Sequence, residues 1–179
     1  MRYALSLVLS LLLLGSAPAL AQIEEKISDV TGAKRLVSAD MRNLVANSYP
    51  GHGSFQAEYE NSPEKDPIWR LSFYGFAQDT TKMTAANDVR LTADGQRITP
   101  TRVVSKTRKL ENSTLEIKEA SLTRSAFEQI ATAQEVTATI GPFQFDFTHP
   151  LRKDLRLILD RVPKGKGPQT ASSDENSNR

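Results

Sequence analysis

The sequence predicts an α+β fold, in which a curved antiparallel β-sheet of about eight short strands carries two helices from the C-terminal half of the chain. Apolar and polar residues alternate with a period of two in several short segments at hairpin spacing, which predicts the strands. Residues 122–162 then combine two amphipathic helical stripes with a hairpin between them. Because the strands come first, the order favours helices packed on one face of a sheet. A β-barrel or a β-sandwich with appended helices is the alternative.

The two ends of the chain differ in composition from its middle. Residues 1–21 combine a positive Arg2, an apolar stretch and the small-x-small sequence Ala19–Ala21, which is typical of a cleaved secretory signal peptide. We therefore expect the protein to be exported and to be periplasmic or extracellular. Residues 22–163 are predicted to form a single α+β domain, and residues 164–179, rich in Lys, Gly, Ser and Asn, a disordered polar tail.

The first part of the domain contains only short apolar patterns. Gln22–Gly32 is predicted to be an extended lead-in or an edge strand. Val37 and Leu44 belong to a set of apolar residues at helical spacing, which predicts a short helix over about residues 39–47. The composition of Pro50–Ser54 predicts a loop.

The middle of the chain reads as a series of hairpins. Residues 55–60 and 69–74 alternate between apolar and polar, which predicts two strands joined by a polar surface connection. Residues 78–87 form a second polar stretch and are predicted to be a loop. Asp94-Gly95 lies between two alternating segments and predicts a tight hairpin turn.

Residues 103–109 and 114–121 predict a further strand pair. We expect its exposed side to carry the basic residues of the first strand against Glu116 and Lys118 of the second. Opposite charges placed across two strands are modestly stabilising.

The helix–hairpin–helix segment has the clearest local signals. Thr123 is predicted to be the N-cap of the first helix, with Leu122 and Phe127 at the hydrophobic-staple positions. Gly141-Pro142 predicts a type II′ turn, because Gly accepts the positive φ of the first central position. The second helix has a complete apolar stripe, and its other side is expected to carry the charged residues Arg152, Lys153, Asp154, Arg156, Asp160 and Arg161.

Composition excludes several chemistries. The chain has no Cys, so a disulfide, a thiol nucleophile and a thiolate metal site are all excluded. The net charge of +2 and the export signal argue against nucleic acid as a partner. The loop acids lack the spacing of a metal-binding motif, and no phosphate-binding loop is present. We therefore expect no metal and no cofactor. No segment of the mature chain reaches about 18 consecutive apolar residues, so we also expect no transmembrane segment.

The chain has two histidines, His52 and His149. His52 precedes Gly53-Ser54, which superficially places a base beside a nucleophile, but a hydrolase triad needs separated groups that converge in space. His149 follows Asp146 and directly precedes a proline, which favours a residue at the end of a strand. A hydrolase that uses His52 or His149 is accordingly the least favoured of the functional hypotheses, and no catalytic residue is assigned.

Two kinds of surface remain as candidate binding sites. Tyr74 and Phe76 project to the side opposite Trp69 and are candidates for binding a partner, because exposed apolar patches often mark interfaces. Two basic clusters are candidates for binding an anion. Their members are Arg102, Lys106, Arg108, Arg152, Lys153 and Arg156.

The sequence thus favours an exported, non-enzymatic domain that binds an envelope protein or has a structural role in the bacterial cell envelope. The alternative is a module that binds an anionic surface or ligand through the basic clusters. Peripheral contact with a membrane is compatible with that alternative, because anionic lipid head groups attract clustered Lys and Arg.

Overall fold

A computed structural model of the chain describes residues 23–38, 41–44, 46–47, 52–77, 82–162 and 164. The predicted signal peptide lies outside the described residues, and so does the predicted tail apart from Lys164. The described residues form 12 strands and three helices, so the predicted α+β class is confirmed. All strand pairs are antiparallel, and the strands belong to two sheets that do not close into a barrel.

The larger sheet, sheet A, has seven strands in the order β1-β2-β5-β6-β10-β9, with β3 also pairing with β5. Within Gln22–Gly32, predicted to be an extended lead-in or an edge strand, Ile23–Ile27 form the edge strand β1, and the predicted pair 103–109 and 114–121 is also confirmed. The strands are β1 (Ile23–Ile27), β2 (Lys34–Ser38), β3 (Arg42–Leu44), β5 (His52–Ser62), β6 (Lys65–Ala77), β9 (Arg102–Lys109) and β10 (Thr114–Leu122).

The smaller sheet, sheet B, has five strands in the order β4-β12-β11-β7-β8. Its two predicted turns are confirmed. Asp94 and Gly95 have φ values of 48° and 77°, as a type I′ turn requires, and Gly141 has a φ of 56°. The strands are β4 (Ala46–Asn47), β7 (Val89–Ala93), β8 (Gln96–Ile98), β11 (Val136–Ile140) and β12 (Phe143–Asp146).

Three helices complete the described part of the chain: α1 (Lys82–Ala85), α2 (Arg124–Thr132) and α3 (His149–Arg161). Thr123 is the N-cap of α2, as predicted, and its hydroxyl accepts a hydrogen bond from the N–H of Ala126. The predicted apolar stripe of α2 is also confirmed, because Phe127, Ile130 and Ala131 are buried. None of the described helices is long and apolar enough to cross a membrane.

The two faces of sheet A have different surroundings. On the inner face, Phe55 lies opposite Phe73, and Leu71 lies opposite Ala120, and all four side chains are fully buried. The helices pack on this face, as the contact of Trp69 with Phe127 of α2 shows, with ring centroids 5.1 Å apart. The outer face consists of the alternate residues of the same strands, and it carries most of the charged side chains of sheet A.

An aromatic cluster joins the two sheets. The ring of Phe55 lies 5.6 Å from that of Phe73 and 4.8 Å from that of Phe147, both in edge-to-face orientations. Phe73 also lies 6.1 Å from Phe145 of sheet B. Aromatic pairs at these distances add about 0.5–1.5 kcal/mol each beyond the burial of their area. Sheet B is therefore held to the inner face of sheet A by side chains from β5, β6 and β12.

Three predictions about local structure are wrong. The described residues within 39–47 are strands β3 and β4 rather than a helix. The predicted loop 78–87 contains helix α1, and His52–Ser54 belongs to β5 rather than to a loop. Isolated short helices are marginal in water, whereas pairing of β3 with β5 supplies backbone hydrogen bonds to residues 42–44. Tertiary pairing therefore overrides the weak helical pattern around Leu44.

Asp154 corrects the predicted surface of α3. It was expected on the charged outer side of the helix, but its side chain is 1% exposed. Its two carboxylate oxygens accept hydrogen bonds from Nε and Nη2 of Arg42, at 2.9 and 3.2 Å. This two-point contact ties α3 to β3, because a guanidinium group and a carboxylate match each other in geometry.

We predict that Asp154→Ala lowers the free energy of unfolding by about 3 kcal/mol, because it removes the buried carboxylate that accepts two hydrogen bonds from the guanidinium of Arg42. Urea denaturation followed by circular dichroism measures this change. Asp160→Ala is the matched control on the same helix, since Asp160 is exposed, and it should change the free energy by less than about 0.5 kcal/mol. Equal effects of the two substitutions would contradict a structural role for the Arg42–Asp154 pair.

Candidate functional site

A buried carboxylate organises the charges on the outer face of sheet A. Glu58 is 5% exposed. Its Oε1 accepts hydrogen bonds from Nε and Nη2 of Arg35, at 2.9 and 2.7 Å, and from Nη1 of Arg70, at 3.0 Å. Glu60 lies 3.8 Å from both guanidinium groups. The four side chains therefore form one ion-pair network across β2, β5 and β6.

Strand register explains why this network forms. Glu58 lies directly opposite Arg70, and Arg35 lies directly opposite Glu60, so opposite charges face each other across each strand pair. Burial by itself lowers the pKa of Arg35, but the hydrogen bond and the charge of Glu58 raise that pKa above its ordinary value. Arg35 and Arg70 thus both pair with a carboxylate that water hardly reaches.

An open groove lies beside this network, over β6, β10 and β9, and we call it the basic groove. Its volume is about 430 Å³. Its walls combine four apolar residues with hydroxyl and charged side chains. The lining residues are Pro67, Ile68, Arg70, Thr101, Arg102, Val104, Lys106, Glu119, Ser121 and Leu122.

The three cations of the basic groove differ in their partners. Arg70 forms ion pairs with Glu58 and Glu60 of the neighbouring strand β5. Lys106 donates to Oε1 of Glu119 at 2.7 Å, and its side chain remains 55% exposed. Arg102 is exposed and has no ion pair or side-chain hydrogen bond with any described residue. Arg102 is therefore the cation of the groove whose charge is least compensated.

The structure does not bring the two predicted basic clusters together. Arg102, Lys106 and Arg108 lie on the outer face of β9, at one edge of sheet A. The second cluster, Arg152, Lys153 and Arg156, lies on α3, which packs on β1, β2 and β5 towards the opposite edge. Within the second cluster, Arg152 donates a hydrogen bond to the carbonyl of Phe147, and Lys153 is exposed.

Glu116 and Lys118 were expected beside the basic residues of β9, and that prediction is wrong. They lie on the inner face of β10 and are 0% and 1% exposed. Oε1 of Glu116 accepts from both the N–H and the hydroxyl of Thr84 in α1, at 3.2 and 3.0 Å. Lys118 donates to the carbonyls of Thr84 and Ala86 and to Oγ of Ser105. These two charged side chains therefore hold α1 against the inner face of the sheet.

Tyr74 and Phe76 lie on the outer face, on the side opposite Trp69. The hydroxyl of Tyr74 donates to Oε1 of Gln56 at 3.1 Å, and burial is the main cause that raises its pKa. Phe76 is 37% exposed and lies directly opposite Leu115. Their role in binding a partner stays a prediction.

The two histidines are separate from each other and from the basic groove. His52 is exposed on β5, opposite Phe76, and His149 is the exposed first residue of α3. Neither has a hydrogen bond or ion pair with a described residue, so the geometry offers no support for a hydrolase built on either of them. Among the residues that the structure describes, no group of three His, Asp or Glu side chains could hold a metal ion.

No protein-family model, curated protein or solved structure matches this chain.

We predict that Glu58→Gln lowers the free energy of unfolding by about 2 kcal/mol, because two arginines lose their charged hydrogen-bond acceptor. Chemical denaturation at low ionic strength measures the loss. Glu24→Gln is the control, since the Glu24–Lys26 pair is exposed on both sides, and it should cost less than about 0.5 kcal/mol. If Glu58→Gln is as mild as Glu24→Gln, the network does not organise the outer face.

Proposed function

We propose that this protein is an exported binding domain of the bacterial cell envelope, and that its basic groove binds a small organic anion with an apolar body. The pattern of residues 1–21 supports export. The main support is Arg102, an exposed guanidinium without a counter-charge among the described residues, in a groove that Ile68 and Val104 also line.

The size and lining of the basic groove suit a small molecule. Its volume of about 430 Å³ falls within the range of about 300–1,000 Å³ that is common for ligand sites. Ile68 and Val104 provide apolar contact, and the hydroxyl of Ser121 lies on the strand position opposite Arg102. An anionic head group bound by Arg102 and Lys106 would leave its apolar body against the two aliphatic side chains.

A rigid frame supports the cations. The groove is built on three paired strands, and the register between β6, β10 and β9 is continuous over the groove. Arg70 is fixed by Glu58, so its side chain does not have to be ordered when a ligand arrives. Sites on strands hold their geometry better than sites on loops, which favours specific binding of a ligand over loose attraction.

The position of the two basic clusters favours a ligand over an extended anionic surface. A flat membrane or a long acidic glycan would contact both clusters most strongly if they formed one continuous patch. The β9 cluster and the α3 cluster instead lie towards opposite edges of sheet A. A concave groove beside one cluster is the better match to a compact anion.

A protein partner is the second candidate. Phe76, with Leu115 and Ile117 beside it, forms a partly exposed apolar area on the outer face, away from the basic groove along β6 and β10. An interface there would add apolar contact. Binding of a protein there would not depend on Arg102, so substitutions of Arg102 and of Phe76 distinguish an anion site from a protein interface.

The proposal predicts that anilinonaphthalene sulfonate, which joins an anion to an apolar ring system, binds the purified protein more tightly than its uncharged analogue, phenyl naphthylamine. Arg102→Gln should weaken sulfonate binding about tenfold, because it removes one charge-assisted contact. Fluorescence titration measures both dissociation constants, and added salt should weaken only the binding of the sulfonate.

Arg97→Gln provides the matched control, because Arg97 is an exposed strand arginine of sheet B that does not line the groove. It should leave binding of the sulfonate unchanged. Equal binding of the charged and uncharged dyes, or equal effects of the two substitutions, would contradict the proposal. Loss of binding on Phe76→Ser instead of Arg102→Gln would favour the apolar area as the site.

A further inference from the structure

A serine and a buried lysine meet under the edge of sheet A, on the face opposite the basic groove. Nζ of Lys118 lies 2.6 Å from Oγ of Ser105, although the two residues are 13 positions apart in the chain. Lys118 is 1% exposed, whereas Ser105 is exposed on β9. An accessible hydroxyl within hydrogen-bond distance of an inaccessible amine is the arrangement that an activated nucleophile requires.

The hydrogen bonds of Lys118 suit an uncharged amine. Two of its acceptors are the backbone carbonyls of Thr84 and Ala86, which have no proton to give. A neutral amine can donate its two protons to these carbonyls and use its lone pair to accept from the hydroxyl of Ser105. In that neutral state the lone pair of Nζ faces the hydroxyl proton of Ser105, 2.6 Å from its Oγ.

The electrostatic surroundings of Lys118 favour loss of its proton. Burial lowers the pKa of Lys118 below its ordinary value of 10.5, and the charges of Asp88 and Glu116 only partly oppose this effect. Glu116 is already engaged by the N–H and the hydroxyl of Thr84. The neutral amine is thus accessible at a lower pH than for a lysine in water.

The strand edge supplies a donor for a developing oxyanion. The N–H of Leu110 bonds to the carbonyl of Ser113, which makes this a hydrogen-bonded pair of β9 and β10. Such pairs alternate with non-bonded ones, so the N–H of Ser105, opposite Lys118, is directed away from β10. No other described strand pairs with β9, so this N–H faces the free edge of the sheet beside the serine hydroxyl.

We propose that Ser105 and Lys118 form a nucleophile–base pair that accepts an acyl group from a carboxylic ester. Oγ of Ser105 attacks the ester carbon while Nζ of Lys118 takes the hydroxyl proton. The C–O bond to the alcohol then breaks, and Lys118 returns the proton to the leaving alcohol. Water hydrolyses the acyl-serine in the same way, with Lys118 as the base and Ser105 as the leaving group.

A fluorophosphonate probe tests the pair directly, because attack by Oγ on phosphorus releases fluoride and leaves a stable adduct. We expect mass spectrometry of the labelled protein to find the adduct on Ser105 at least about 100-fold faster than on Ser125, in line with the usual contribution of a general base. Ser125 is the internal control, because it is also exposed and has no lysine hydrogen bond among the described residues. The labelling rate should rise with pH, with an inflection below 10.5.

Lys118→Arg is the matched variant, because it keeps a long side chain with donors for the carbonyls of Thr84 and Ala86 but stays protonated and cannot act as a base. It should abolish the fast labelling of Ser105. If Ser105 of the protein without a substitution is labelled only as fast as Ser125, the proposal is overturned. This comparison tests the proposal even if the Lys118→Arg variant fails to fold. Unchanged fast labelling in folded Lys118→Arg would overturn it as well. The basic groove lies on the other face of β9, so neither result depends on the proposed anion binding.

Discussion

The rings of Phe55 and Phe73 pack on Phe147, and Phe73 also packs on Phe145 of sheet B. This packing fixes which face of β5 and β6 is buried. Once these rings face inward, the alternation of β5 and β6 places Glu58 and Arg70 on the outer face. A slip of one residue in either strand would exchange the two sets, burying the charges among the rings. The aromatic cluster is therefore the constraint that assigns sheet A an apolar inner face and a charged outer face.

The inner face changes character along its length. At one end Trp69 packs on Tyr59 and on Phe127, so α2 is held by apolar contact. At the other end α1 buries Met83 in the core, and Glu116 and Lys118 also bond to this helix. A four-residue helix has little further apolar surface to bury, so these two side chains from one strand add hydrogen bonds to its packing. This arrangement also places a buried amine beside Ser105, and that amine is the base of the proposed nucleophile–base pair.

Signals that depend on neighbouring residues were readable from the sequence. The cap at Thr123, the turns at Asp94-Gly95 and Gly141, and the stripe of α2 each involve residues within a few positions of one another, and all are confirmed. Features that depend on the pairing of distant strands were not readable from the sequence. Residues 42–44 have an apolar pattern of helical spacing but form a strand, because they pair with β5. Asp154 is buried against Arg42, and the sequence gives no sign of this contact because the two residues are 112 positions apart.

The candidate sites divide in the same way. Arg102 and Lys106 could be chosen as candidates from their charge, but the groove between them and β6 exists only through the pairing of β6, β10 and β9. Ser105 and Lys118 were not recognised, and Lys118 was assigned to the exposed side. The signal was present, because Lys118 and Glu116 share the period-two positions of Ala120 and Leu122, both apolar. The alternation of β10, rather than the charge of Glu116 and Lys118, predicts correctly that both side chains lie on the buried face of the strand.

We propose that the outer face of β6, β10 and β9 binds an anion through Arg102. A crystal structure of the complex with anilinonaphthalene sulfonate tests it most directly. We predict that the sulfonate lies within hydrogen-bond distance of Arg102 and that the ring system contacts Ile68 and Val104. A dye bound instead at the basic residues of α3, or over Phe76, would contradict binding of the anion in the basic groove.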